Sequence, residues 1–512
     1  MEIKSNIVDL LFDAAKCHPD RNAIIYREQC ITFARLANDV NSTANYFQIK
    51  GIGKGDRVLV FVPMSIDLYR IVLALFRIGA VAVFLDEWVS KERLEICCKI
   101  ANCKAFVAPF KIRMLSIFSK ELRRVPIKLG LSFDESSYGE TFPSVDMNDT
   151  ALVTFTTGST GIPKAAKRTH GFLQAQFAAL ADKVRMNDGE VSMPVLPIVL
   201  LINLGNGTTS VIADFKASKP DSLEPDRIIK QIQKYGVHQI ISSPFFIQEL
   251  SSFLLDNQLS LPNVIKIITG GAPVFPNQAK HLLQAFDSAE IEIVYGSTES
   301  EPISSISAKD LVASSDKNQF LGLNTGRVDN SANVKIIRIV DAPLDFGSMD
   351  ELRQFEVPLG EIGEIIVSGY HVLREYLHNP EAIKRNKIFI GNDCWHRTGD
   401  SGYLDAEGNL FLTGRSSTLI YMDDQLISPF VYENHFQKID GVDCGTLMQL
   451  KGQLFAIIHL QDNADKEMVT DKINQLPAEI DRIHFVKEIP KDKRHRSKIE
   501  YEKLRQIVDQ LD

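Results

Sequence analysis

Hydrophobic positions along the first third of the chain switch repeatedly between two patterns. Ile7–Lys16, Thr32–Gln48 and Ile66–Ile78 read as amphipathic helices, while Ala23–Tyr26, Arg57–Val62 and Ala80–Leu85 are short apolar runs. Strands buried on both faces need helices to cover them, so the alternation predicts an α/β fold with a parallel sheet. The same alternation returns between Thr150 and Ser300, where His238–Ser242, Val264–Thr269 and Glu292–Tyr295 read as strands leading into loops. Ligands of such sheets sit beyond the carboxyl ends of the strands. After about Thr325 short β runs follow one another, at Val334–Val340, Gly363–Ser368 and Asn409–Thr413. Beyond Arg415 the pattern is a compact α+β tail with strands at Phe455–Leu460 and Arg482–Val486.

A chain of 512 residues is too long for one ordinary core, so two to four packed units are expected. The net charge of −8 and the lack of a basic stripe argue against a nucleic-acid partner. Seven cysteines without paired CxxC spacing suit a reducing compartment and buried thiols. The N-terminus does not read as a signal peptide. The longest apolar run, near Val195–Leu204, is interrupted by Pro197 and Asn203 and is too short to span a bilayer. A cytoplasmic protein without a transmembrane segment is the expectation.

Chemistry enters at Thr156-Thr157-Gly158-Ser159-Thr160-Gly161-Ile162-Pro163-Lys164, which follows the apolar strand Ala151–Phe155. Its glycines allow close backbone approach, its hydroxyls and N–H groups make a donor-rich concavity for anionic oxygens, and Lys164 adds a mobile charge. A helix is expected beyond it, near His170. The pattern is not a Walker A loop, which ends in Gly-Lys-Ser/Thr. The segment resembles the signature loop of the adenylate-forming superfamily, which includes acyl-CoA synthetases, luciferases and peptide-synthetase adenylation domains; Ala165 replaces the usual glycine after the lysine.

Further motifs follow in that family's order over nearly the whole chain. Gly270-Gly271-Ala272-Pro273 resembles the segment beside the adenine. In Tyr295-Gly296-Ser297-Thr298-Glu299 an aromatic ring suits the base, a hydroxyl a phosphate, and a carboxylate Mg²⁺. Asp400, in Thr398-Gly399-Asp400, suits the ribose hydroxyls because a carboxylate only accepts hydrogen bonds, and Arg415 is implied to reach the same sugar. Lys498 occupies the position of the family's catalytic lysine, where a cation stabilises charge building on the α-phosphate; Ser497 replaces the glycine usual before it. His170 and His396 are candidate pocket residues. The resemblance implies a large N-terminal domain, 1–415, of two stacked α/β layers up to about 325 and a small β-barrel-like subdomain over 326–415. A small mobile α+β domain over 416–512 follows, with a hinge near 415–418.

The implied reaction is in-line attack of a carboxylate on ATP, giving an acyl-AMP and pyrophosphate, with Mg²⁺ as cofactor. The acid would carry an apolar chain, with pocket candidates in Pro194–Asn206 and Pro244–Phe246. The second step stays open. The loop that lines the thiol tunnel in relatives reads Ile420-Tyr421-Met422-Asp423-Asp424, with Asp424 at a glycine position, which weighs against ordinary use of CoA. Pro490–Ile499 and Trp395-His396-Arg397 resemble olefin-biosynthesis β-lactone synthetases, in which a β-hydroxy acyl-AMP closes on itself. The alternatives are transfer to CoA or an acyl-carrier protein, and an inactive nucleotide-binding homologue. A monomer and a dimer are both compatible.

Overall fold

The computed structural model describes residues 4–85, 90–133, 141–157, 163–215, 219–314, 321–422, 425–491 and 499–509, the side chains of 115, 156, 157 and 221 excepted. The α/β alternation is present and builds two sheets. In the first, Ile127–Leu129, Ala105–Val107, Arg57–Val60, Val81–Phe84 and Thr150–Thr157 run parallel in that spatial order. Two antiparallel strands, Pro163–Thr169 and Glu375–Tyr376, extend it. The second has fourteen strands among the described residues. It holds the parallel set Asn22–Tyr26, Thr209–Ile212, Val191–Pro194, Val237–Ser242, Lys266–Gly270 and Glu290–Ser297.

One core cluster binds the two sheets together. Val58 and Ala82 of the first and Ile24 and Ile212 of the second belong to it, with Phe33, Phe47, Tyr69 and Phe76 filling the space between. These four come from the helices Phe33–Ile49 and Ile66–Arg77. The second helix begins where Ser65 Oγ accepts the N–H of Leu68, an N-cap that satisfies one of the helix's orphan donors.

The short β runs expected after about 325 are continuous with the second sheet. Ser300–Ser307 pairs with Leu323–Val328, which pairs with Asn409–Arg415, then Asp393–Leu404, Gly363–Ser368 and Asn333–Ile337. Position 325 therefore falls inside a strand and marks no break in the ladder. Past Arg415 the chain makes the turn Ser416–Thr418, the hairpin Ile420–Met422 and Gln425–Ile427, and a three-stranded sheet of Val442–Leu450, Gln453–Leu460 and Arg482–Val486. This tail has its own core around Phe436, Leu447, Ile458 and Val469.

Three expectations change. Pro197 starts a helix, Pro197–Asn206, instead of interrupting a run, because the first helical position needs no N–H donor. Cys17 and Cys30 are exposed, while Cys97, Cys98, Cys394 and Cys444 are buried. His170 does begin the helix His170–Val184, yet it is a core residue: fully buried, packed edge-on to Phe76 at 5.7 Å, its Nδ1 accepting the N–H of Ile7.

Burial pushes the His170 imidazole down to about 4. Between that value and the ordinary one near 6.5, the unfolded chain binds a proton that the folded chain refuses. Stability must therefore fall as pH drops through that window and be fully present above it. The urea midpoint is expected to decline from about pH 7 to about pH 4.5, and less steeply in His170→Asn; equal slopes would exclude the histidine. A second prediction concerns Arg397, whose side chain is 8% exposed and donates to Glu364 at 2.6 Å and to the carbonyls of Val340 and Ala342 at 2.6 and 2.5 Å. Glu364→Ala strands a buried guanidinium and is expected to cost about 3–5 kcal/mol in a denaturant titration.

Candidate active site

A cleft of about 2440 Å³ runs between the sheets and the C-terminal tail. It collects Lys164, Gly270–Pro273, Tyr295–Glu299, Asp400 and Arg415, which lie far apart in sequence. Topology explains the convergence. Lys266–Gly270 and Glu290–Ser297 are parallel neighbours with Gly270 opposite Val294, and both empty into the cleft at their carboxyl ends. A Cβ on Gly270 would lie 2.3 Å from the Val294 carbonyl oxygen, so no larger residue fits there; Gly271 takes a φ of +83° to turn the chain away.

Asp400 is held from two sides. Tyr295 Oη donates to its Oδ2 at 2.7 Å and Arg415 Nη1 to its Oδ1 at 2.8 Å. The strand register places Asp400 opposite Arg415, and Gly399 at φ +71° leaves room for the guanidinium. A carboxylate has about four lone-pair sites, so two remain to accept hydroxyls from a ligand. Burial pushes the Tyr295 phenol up, which keeps it a donor.

At the other end, Glu299 accepts a hydrogen bond from Tyr376 Oη at 3.1 Å on its side chain and one from the Leu373 N–H at 2.7 Å on its carbonyl. Lys164 Nζ donates to Asn386 Oδ1 at 3.1 Å and lies 5.6 Å from the Tyr376 ring centroid. Burial lowers its pKa, opposed by the nearby Glu299 charge. Arg168 Nη2 donates to the Thr298 carbonyl at 3.1 Å and thereby ties the first sheet to the Thr298–Glu299 turn. The hydroxyl of Ser297 is buried and makes no hydrogen bond among the described residues, so it has one to offer.

The phosphate-loop expectation is modified in one respect. Thr150–Thr157 is followed by a second strand before the helix, with Thr156 opposite Lys164 and Thr157 opposite Pro163. The strands on either side of 158–162 are thus an antiparallel pair, and Lys164 stands on a strand. Gly158, Ser159, Thr160 and Gly161 lie outside the described residues, as do Lys498 and Asp424. Of the tail, Glu433, Asp443, Lys491 and Ile499 line the cleft. His396 also lines it, its Nδ1 3.1 Å from the Asn386 carbonyl.

Sequence reasoning missed Arg168, Tyr376 and Lys387. The last is buried, its ammonium 5.6 Å from the Tyr376 ring centroid, and its pKa is pushed down to about 8 by burial. Arg168 had a weak signal in the charged string Lys164–Arg168 after an apolar strand. Tyr376 and Lys387 had none, since only the fold brings them to Glu299.

The acyl candidates divide. Val195, Leu196, Pro197, Ile198 and Leu201 line the cleft, as do Pro244 and Phe245. Phe246 turns away into the core, where it is fully buried.

Residues 11–377 match the model of the AMP-binding enzyme family. This chain belongs to that family. It is 30% identical over 390 residues to an olefin beta-lactone synthetase of Stenotrophomonas maltophilia, covering 72% of this chain and 69% of that one. It is 27% identical over 436 residues to a putative acyl-CoA ligase of Bacillus subtilis, YdaB, covering 81% and 80%. The fold matches that of o-succinylbenzoate CoA synthetase from Bacillus subtilis, in complex with ATP and magnesium ion, with a TM-score of 0.79 at 22% identity over 98% of this chain and 99% of that one. As a member, the chain is an adenylate-forming enzyme. No helix among the described residues is long and apolar enough to cross a membrane.

Asp400→Asn preserves shape but removes the charge that Arg415 and Tyr295 address. AMP affinity, read by calorimetry, is expected to fall about tenfold or more; an unchanged Kd would remove Asp400 from the nucleotide site.

Proposed function

We propose that this enzyme uses ATP to adenylate a β-hydroxy acid with an apolar chain and then closes the acyl-AMP to a β-lactone. The observation that carries the first step is the convergence of Asp400, Arg415, Tyr295, Glu299 and Lys164 on one cleft whose far wall is apolar. The nucleotide lies with its ribose on the two free acceptor sites of Asp400 and beside Arg415. Tyr295 and Gly270–Pro273 flank the base. Thr156–Gly161, Ser297 and Thr298 supply donors to the phosphates.

Glu299 suits a divalent cation: its carboxylate lines the cleft, accepts a hydrogen bond from Tyr376, and is a hard oxygen donor of the kind Mg²⁺ takes. Bound there with the phosphates, Mg²⁺ supplies charge neutralisation. Lys164 holds the pyrophosphate end, and Lys498 brings a cation to the carboxylate and α-phosphate when the tail closes over the cleft. The division at 415–418 supports such a movement, because the tail has a core of its own. Positioning and electrostatics carry the rate, as no protein nucleophile is needed.

The second step is supported by the 30% identity to an olefin beta-lactone synthetase. Asp424, at a position where thiol-using relatives carry glycine, also favours it. The β-hydroxyl oxygen attacks the acyl carbonyl, the bond to AMP breaks, and the hydroxyl proton leaves to solvent.

The test follows pyrophosphate, AMP and lactone with a panel of acids, with and without CoA. The expected result is CoA-independent turnover with long-chain β-hydroxy acids, a lactone product, and adenylation about a hundredfold slower or worse in Lys498→Ala. Turnover only with CoA would replace lactone closure by thioester formation. ATP binding without pyrophosphate release from any acid would leave a binding module.

A further inference from the structure

The segment Phe110–Lys128 differs in surface chemistry from the rest of the chain. Large apolar side chains are exposed in four places within nine residues: Phe110 at 68%, Met114 at 47%, Ile117 at 53% and Phe118 at 72%. No other stretch of that length concentrates as many among the described residues. Phe110 and Met114 sit four apart on the helix Phe110–Leu115, and the turn Ser116–Phe118 continues the row, so the four share one side of the segment. The arrangement is not loose. Ile112, Leu122 and Val125 pack into the core beneath. The segment is anchored by its inner side and presents its outer one.

Charge in the same segment opposes the composition of the whole. The chain carries −8 overall, yet Lys111, Lys120, Arg123 and Arg124 are all exposed here and Glu121 is the only acid between Phe110 and Lys128. Glu121 is answered by Arg124 at 2.7 Å. An apolar row with a phenylalanine at each end, bordered by lysine and arginine, matches an anionic bilayer surface: the apolar side chains enter the headgroup boundary and the cations meet the phosphates. A protein partner of the usual kind would select against exposed lysines at the centre of the contact.

Position adds to this. Helix Phe110–Leu115 leaves the sheet just beyond the carboxyl end of Ala105–Val107, the parallel neighbour of Arg57–Val60. The residues beyond Arg57–Val60 and Val81–Phe84, namely Phe61–Met64 and Leu85, line the cleft. The exposed row and this cleft wall therefore share one edge of the sheet.

We infer that Phe110–Lys128 is a docking surface for anionic membranes, holding the enzyme against a bilayer from the edge at which the cleft wall is built. The inference stands on the patch and is independent of which acid is used. The test is co-sedimentation of the full-length protein with extruded vesicles of phosphatidylcholine containing phosphatidylglycerol, against phosphatidylcholine alone, at low and high salt. Binding is expected on the anionic vesicles only and is expected to weaken with salt. It should drop about tenfold or more in Phe110→Ser/Phe118→Ser and in Lys111→Glu/Lys120→Glu/Arg123→Glu. Both variants should keep the wild-type melting temperature, because the altered side chains face solvent. Absence of wild-type binding at low salt would overturn the inference, as would equal binding by both variants. So would a wild-type dimer that Phe110→Ser/Phe118→Ser makes monomeric without any vesicle binding, since the face would then belong to a second copy.

Discussion

The site depends on a seam of hydrogen bonds between two sheets that do not share a ladder. The segment from His371 to Leu377 makes it. His371 Nε2 lies 2.8 Å from the Pro302 carbonyl, Leu373 donates to Glu299, Tyr376 pairs with Ala166, and the Leu377 N–H reaches the Ala165 carbonyl at 2.8 Å. One end of the segment therefore fixes the Glu299 turn of the second sheet. The other end becomes an edge strand of the first. Arg168 crosses in the opposite direction to Thr298. Without these bonds the distance between Lys164 and Glu299 would be set by side-chain packing alone.

That seam also explains the burial of charge around Tyr376. Two lysines lie near its ring and one carboxylate accepts its hydroxyl. Cations beside an aromatic face gain from its quadrupole, which offsets part of the desolvation that lowers both lysine pKa values. The cluster is positive on balance and stands where a polyanion's phosphates are proposed to lie. Charge of that kind is costly in the empty protein and favourable once an anion is bound.

Much of the fold was legible because helices and strands here announce themselves locally. Gly363–Ser368 and Arg482–Val486 have the expected limits, and His170 does open its helix. The strand Pro163–Thr169 was not legible. Its sequence, Pro-Lys-Ala-Ala-Lys-Arg-Thr, has low β propensity and becomes a strand only because Thr150–Thr157 offers it an edge. The candidate site was legible where chemistry and spacing coincide in one string, as at Tyr295–Glu299 and Thr398–Asp400. It was illegible where a residue acts from a distant segment. Nothing in Glu375-Tyr376-Leu377 distinguishes a tyrosine that orients Glu299, and His170 is a pocket candidate by type but a core residue by place.

The last strand of the large sheet, Asn409–Arg415, ends on the residue that holds Asp400. The grip on Asp400 and the end of the ladder thus coincide. The tail touches that strand end: Ser428 Oγ donates to the Thr413 carbonyl at 2.6 Å, and the Phe430 ring lies 5.4 Å from that of Phe275. Whatever seats the tail therefore also bears on the strand end that holds Asp400, and a shift of one is felt by the other.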